Sequence, residues 1–420
     1  MDSNPAGLTL AETLAAACIA LAAALRSALD YMLRGPRLAA WDLRFQLQRD
    51  VGHALIRRAL PPAPDDSALP ATDAFALCAA LRRKALPAKP LAASHGMHGP
   101  VAISAKHVPL PANIARHAGV AQSRLQGLVD RDARAPGAGR TLHGELVVAR
   151  RTAGLLAAHA HAGHAALLDC LPLHAAEPLV LYFHGGGYVA GDSAAYRHVL
   201  CRLSDACGMR VLSVDYRLAP QHAFPAQLHD ALVAYRHVLA QGFRADRLVV
   251  AGDSAGGHLA TTLALLLRSA GLPLPRSLVL LSPYSNLVET KPSVAANAPY
   301  DFVVMLPLES PAAYARMLYA PARPLTAEMR REMRHPLVSP AFADFAGFPP
   351  VLVQAGAREV LVDDIEQLVA ALRAASPGRP DAVVYEPYAD MCHVFQNILD
   401  RPESAAAFAS IGRFVSRVLA

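Results

Sequence analysis

LVVAGDSAGGHLATTLALLLRSAG, from Leu248 to Gly271, is the stretch that decides the fold. Its first four residues are a continuous β-branched and apolar run, as in a strand buried on both faces. Its last sixteen are an Ala/Leu-rich run of helical length, closed by Gly271. Between them Gly252 to Gly256 read G-x-S-x-G. Such a pentapeptide arises by chance in a chain rich in Ala and Gly, so the letters alone decide little. The flanking strand and helix make the argument. A strand-to-helix turn this short must be sharp, and its glycines let backbone segments approach closely. The helix N-terminus behind it supplies free N–H groups and a positive dipole end. Ser254 is therefore the candidate nucleophile.

Working outward, similar apolar runs recur at 179–183, 211–214, 278–281, 351–354 and 382–385. Helix-length segments separate most of them, which predicts a mostly parallel sheet covered by helices, an α/β class. The gap from about 284 to 349 exceeds one crossover and reads as an insertion, with a helical stretch near 309–319. Residues 1 to about 60 read as helices, with Leu43, Leu47, Val51 and Leu55 on one face. A Pro- and Asp-rich loop from Leu60 to Pro70, a helical stretch at 74–86 and an irregular stretch ending at Pro100 follow. RDARAPGAGR from Arg131 marks a junction. The expected division is an N-terminal helical cap region over 1–140, with irregular linkers, and a catalytic domain over 141–420.

Composition narrows the function. Apolar residues make up 53% of the 420 and charged residues 18%, an ordinary globular balance. The net charge of +6 is carried by scattered arginines with no basic run interleaved with aromatics, so nucleic acid is not an expected partner. Six cysteines show no C-x-x-C pair and no Cys/His cluster, so no metal is expected and the thiols read as free. The uncharged run Thr13–Leu25 admits three readings: a packed or lid helix, a membrane anchor or interfacial helix, and a signal peptide. The last lacks a basic start, since Asp2 and Glu12 stand ahead of it and no Lys or Arg does. The expectation is a cytoplasmic or membrane-associated protein, with any membrane association through this helix.

The remaining chemistry is found relative to Ser254. HGGG at His184–Gly187 follows a strand, and a glycine run lets main-chain N–H groups converge on an oxyanion. Gly186, Gly187 and Ala255 are the candidate donors, with His184, Gly185 and Asp253 in support. Where a serine sits on such an elbow, the acid and then the histidine follow it in the chain. Of His258, His335 and His393, only His393 follows the last strand, and it is the candidate base. The acid should follow the strand at 351–354, where Glu359, Asp363 and Asp364 stand. Glu359 comes soonest after the strand end and is preferred. Asp215 and Arg217 read as a structural ion-pair network.

HGGGYVAGD (184–192), DYRLAPQHAFP (215–225), GDSAGGHLA (252–260), HPLVSP (335–340), GFPPVLVQAGAREVLVDD (347–364) and MCHVFQ (391–396), in this order, resemble the hormone-sensitive-lipase-like family of α/β-hydrolase esterases. The match covers about 143–420. The N-terminal RGPRLAAWDLRFQLQ (34–48) is more weakly similar to fungal-type members, which include steryl acetyl hydrolases. The resemblance implies an α/β-hydrolase fold and cofactor-free hydrolysis of carboxylic esters. It implies a triad of Ser254, Glu359 and His393 and an oxyanion hole of Gly186, Gly187 and Ala255. It also implies a cap from the N-terminal helices. Two departures stand out: Gln221 where the family usually has Glu, and Glu359-Val360-Leu361 where many members have Asp-Pro-Leu. The expected substrate is a small-to-medium acyl ester of an apolar alcohol, because the cap segments are apolar and poor in acids. Amide hydrolysis or deacetylation on the same triad is the alternative. A non-catalytic small-molecule receptor of the same fold is a further one, disfavoured because such receptors lose a triad residue. Nothing in the sequence sets the oligomeric state.

Overall fold

Leu179–Phe183 shows why the sheet forms where it does. Leu179, Leu181 and Phe183 enter one apolar core, while Val180 and Tyr182 enter another on the opposite face. Alternation along a strand places neighbours on opposite faces, so a run apolar throughout needs cover on both. The structure, a computed structural model, describes residues 10–38, 41–59, 96–104, 140–160, 163–301, 303, 318, 326–398 and 401–420.

In chain order these hold α1 (Leu10–Arg34), α2 (Leu43–Ala59), β1 (Gly96–Ser104), β2 (Thr141–Ala149), α3 (Arg150–Ala160), α4 (His164–Leu168) and β3 (Leu179–Phe183). Next come α5 (Ser193–Cys207), β4 (Arg210–Asp215), α6 (Ala226–Ala240), β5 (Leu248–Asp253), α7 (Ala255–Ser269) and β6 (Ser277–Leu281). The last are α8 (Pro292–Asn297), α9 (Ala327–Met333), β7 (Val351–Gly356), α10 (Val362–Ala374), β8 (Val383–Tyr388) and α11 (Pro402–Leu419). The eight strands form one sheet in the order β1-β2-β4-β3-β5-β6-β7-β8. β1 and β2 run antiparallel at one margin, and β4 through β8 pair in parallel. Helices α6, α7 and α10 cover one face, and α5 and α11 the other. This is the mostly parallel, helix-flanked sheet that the sequence predicts.

Three local differences have physical causes. From Gly96 on, the stretch expected to be irregular up to Pro100 is edge strand β1, so the sheet draws on residues inside the 1–140 segment. Gly96, Gly99 and Pro100 erase the strand signature, and a proline is tolerated because β1 lies on the margin. Helix α1 runs past Arg26 and Asp30 to Arg34 and stops at Gly35, which has φ 77° and donates to the Tyr31 carbonyl. A left-handed glycine ends a helix where an exposed charge does not. Among the described side chains of α2, Phe45, Gln46 and Arg49 are buried, whereas Leu43, Leu47 and Val51 are half-buried. The expected features at 60–70, 74–86, 131–139 and most of 309–319 lie outside the described residues.

Candidate active site

Four strand ends converge on one edge of the sheet: β3 leads to His184–Gly187, β5 to Ser254, β7 to Glu359 and β8 to His393. Ligand sites of open parallel sheets lie at these carboxyl ends. Ser254 holds φ 52° and ψ −117°, unfavourable for a residue with a Cβ. The turn is over-determined by its surroundings. Ser254 N–H donates to Leu281 O at 2.9 Å, and the Ser254 carbonyl accepts from His258 and Tyr284. A Cβ at Gly256 would strike the Phe183 carbonyl, so only glycine lets α7 start this close to β3. Ser254 remains half-exposed while its neighbours Asp253 and Ala255 are buried.

His393 Nδ1 lies 3.1 Å from Glu359 Oε2, and both side chains are buried. Asp363 instead accepts from Ser293 N–H at 2.9 Å, and Asp364 from Asn286 Nδ2 at 3.1 Å. Of the three candidate acids, Glu359 is thus the one placed on His393. Burial alone would push the His393 pKa down. The bond to Glu359 and the charges of Glu359, Asp301 and Asp253 outweigh it, so the pKa is raised above the ordinary 6.5.

The HGGG loop is held from below. Asp253 is buried and accepts from Tyr182 Oη at 2.7 Å, Gly185 N–H at 2.8 Å and Tyr196 Oη at 2.9 Å. A Cβ on Gly185 would collide with that carboxylate, and one on Gly186 with the Ala190 carbonyl. Gly186 and Gly187 have φ of 105° and 61°. Ala255 opens α7, where first-turn N–H groups lack intrahelical acceptors. His184 is fully buried and stacks on Tyr216 at 4.4 Å. Burial lowers its pKa, which keeps it neutral in the loop's wall.

His258 and His335 lie elsewhere. His258 Nε2 is 2.9 Å from the Val338 carbonyl and must donate to it, so its Nδ1 accepts from Tyr188 Oη at 2.6 Å. Burial pushes its pKa down to about 4. His335, half-buried, accepts from Leu337 N–H. Arg217 pairs with Asp230 at 2.8 Å, while Asp215 accepts from Ser193, so the two belong to separate polar clusters. A narrow apolar cavity of about 20 Å³ runs between Tyr188, Phe224, His258, Leu287 and Val338. Among the described residues no cluster of three or more His, Cys, Asp or Glu could hold a metal ion.

Sequence reasoning missed Asp301, which is fully buried and accepts the His393 N–H at 3.2 Å. A signal existed: Ser293, Asn297 and Asp301 recur every four residues, the spacing of one helix face.

A family model described as alpha/beta hydrolase fold matches residues 180–397. An acetyl-hydrolase of Streptomyces hygroscopicus is 36% identical over 249 residues, 56% of this chain and 74% of that protein. An esterase of Acinetobacter venetianus is 31% identical over 242 residues, 57% of this chain and 75% of that protein. The crystal structure of an esterase from the bacterial hormone-sensitive lipase family superposes with a TM-score of 0.59 at 28% identity. It covers 89% of this chain and 98% of its own.

Proposed function

Because the chain belongs to the α/β-hydrolase family, among the hormone-sensitive-lipase-like esterases, and is a carboxylesterase-type hydrolase, we propose that Ser254 is its nucleophile, His393 its general base and Glu359 the carboxylate that orients the base. The observation that carries this reading is the buried Glu359–His393 hydrogen bond of 3.1 Å at the same sheet edge as the strained serine. His393 takes the Ser254 proton as Oγ attacks the ester carbonyl carbon. The carbonyl oxygen becomes an oxyanion, stabilised by the N–H groups of Gly186, Gly187 and Ala255. On collapse His393 gives the proton to the departing alcohol. Water, deprotonated by His393, then attacks the acyl-enzyme and releases the acid and Ser254. Glu359 stays ionised and stabilises the imidazolium formed in each half.

The substrate proposed is an ester of a small-to-medium acyl group and an apolar alcohol. The acetyl-hydrolase relative supports a short acyl group. Each methylene of the alcohol buried on an apolar wall would contribute about 0.8 kcal/mol. We also propose that the N-terminal region up to residue 140, β1 apart, acts as a cap, and that α1 meets a membrane. Ala15–Arg34 is long and apolar enough to cross one, with a mean hydropathy of 1.5 and 6% of it buried.

Two measurements test this. A fluorophosphonate probe should label Ser254 alone, and Ser254→Ala should lose about 10⁴-fold or more in turnover while staying folded. Labelling at another serine overturns the site. Across p-nitrophenyl esters, kcat/KM should peak at short acyl chains, and a maximum at palmitate overturns the substrate class.

A further inference from the structure

Ser293, Asn297 and Asp301 lie four residues apart along α8 and the turn after it, and all three are buried. Ser293 Oγ donates to the Val360 carbonyl at 2.7 Å, and Asn297 Nδ2 to the Glu359 carbonyl at 2.9 Å. The Asp301 carboxylate accepts from Val360 N–H at 2.8 Å, His393 N–H at 3.2 Å and Val303 N–H at 3.3 Å. One polar face thus grips the peptide groups on either side of Val360 and, through Asp301 alone, reaches across to His393. The turn is itself braced. Arg49 Nη2 of α2 donates to the carbonyls of Ala298 and Asp301, both at 3.1 Å. In the same corner Trp41 and Phe45 share an apolar cluster with Met391, Cys392 and Phe395.

We propose that Asp301 is a positioning residue, whose carboxylate clamps the acid-bearing loop after β7 to the base-bearing loop after β8. This rests on the reading of Ser254, Glu359 and His393 as the catalytic group. The one oxygen of a neutral amide could serve His393 and Val303 or Val360 but not both loops, whereas the two oxygens of a carboxylate accept all three N–H groups, which makes its burial tolerable. Its charge also faces His393. The other ionisable groups around that imidazole are Glu359 after β7, Asp253 of β5 and the neighbouring thiol Cys392. Arg49 of α2, paired with Asp50, lies on the far side of Asp301. Asp301 therefore supports the imidazolium as well as its placement.

The test uses the full-length protein and p-nitrophenyl acetate, comparing Asp301→Asn, Asn297→Ala and Ser254→Ala with wild type. Asp301→Asn should lower kcat about 100-fold, the scale of an ångström's misplacement, with KM changed only a few-fold. The acid limb of its kcat/KM profile should move to lower pH, because a negative charge beside the base is gone. Asn297→Ala should lower kcat less and leave the limb in place. An Asp301→Asn enzyme that loses Tm but keeps kcat and the wild-type limb would overturn the proposal, while inactivity of Ser254→Ala kept the site reading intact. If Asp301→Asn does not fold, Asn297→Ala decides: lost kcat at constant KM supports the clamp and unchanged kcat overturns it. A Ser254→Ala enzyme with full activity removes the site reading and this proposal with it.

Discussion

At the scale of single residues, the proposal of His393 as the base makes its ionisation decide when the site works. A general base must be neutral, and its environment raises its pKa above 6.5, so kcat/KM should fall as pH drops through that raised value. Glu359→Gln removes the largest of the groups that raise it. The acid limb should then move to lower pH, and turnover should fall by about 10⁴, as when a triad acid becomes an amide. Asp363→Asn should cost far less, since Asp363 is engaged with Ser293 N–H and not with the imidazole. A pH–rate series on both variants checks this, and greater damage from the Asp363 change would reassign the acid. At the elbow, Gly256→Ala should destabilise by about 2–3 kcal/mol in urea unfolding. Its methyl would strike the Phe183 carbonyl, held by the sheet, and the His184 carbonyl, held by Tyr216 Oη.

At the scale of elements, exposure marks α1 as the part with unfinished business. Leu21, Leu25 and Leu29 recur every four residues and are more than half exposed, and Met32 and Leu33 continue the stripe. Replacing the first three by Ser should abolish flotation with phospholipid vesicles and leave hydrolysis of soluble p-nitrophenyl acetate unchanged. Equal flotation of variant and wild type would remove the membrane reading. Five of the six apolar strands were legible because each is buried on both faces, which demands an unbroken hydrophobic run, and β8 was read from its apolar start although it lies on the margin. β1 was not, because an edge strand needs neither that run nor every N–H, and Gly99 and Pro100 are affordable there. Gly186 and Gly187 could be read for a related reason: their positive φ leaves little choice of residue, and Ser254 could be placed from the strand and helix on either side of it. Asp301 was harder: its spacing from Ser293 and Asn297 marks a polar face, but its partners are peptide groups 59 and 92 residues away, which no local pattern names.

At the scale of the whole molecule, buried ionisable groups set how stability varies with pH. Burial pushes Asp364 up to about 7, against the Asn286 bond and the Lys291 charge. Between 3.8 and about 7 the folded chain holds a proton there that the unfolded chain has released, so stability declines as pH rises through that window. His393 acts in the same direction: its contribution is complete below 6.5 and lost as pH rises through its higher folded value. The buried His184 and His258, whose pKa is lowered, act in the opposite direction up to about pH 6.5, so Asp364 shows in a difference: from about pH 5.5 to about pH 8 the Tm of Asp364→Asn should gain on that of wild type. Identical profiles would contradict the assignment. The outermost position of β8 matters in a different way. It bonds to β7 alone among the described strands, and five of its six residues are incompletely buried. Such margins open at a fraction of the global cost. His393 hangs from this one, so warming should first produce a reversibly inactive protein with its secondary structure intact. Thermal inactivation curves would then report the fraying of one margin, and turnover would cease below the melting temperature.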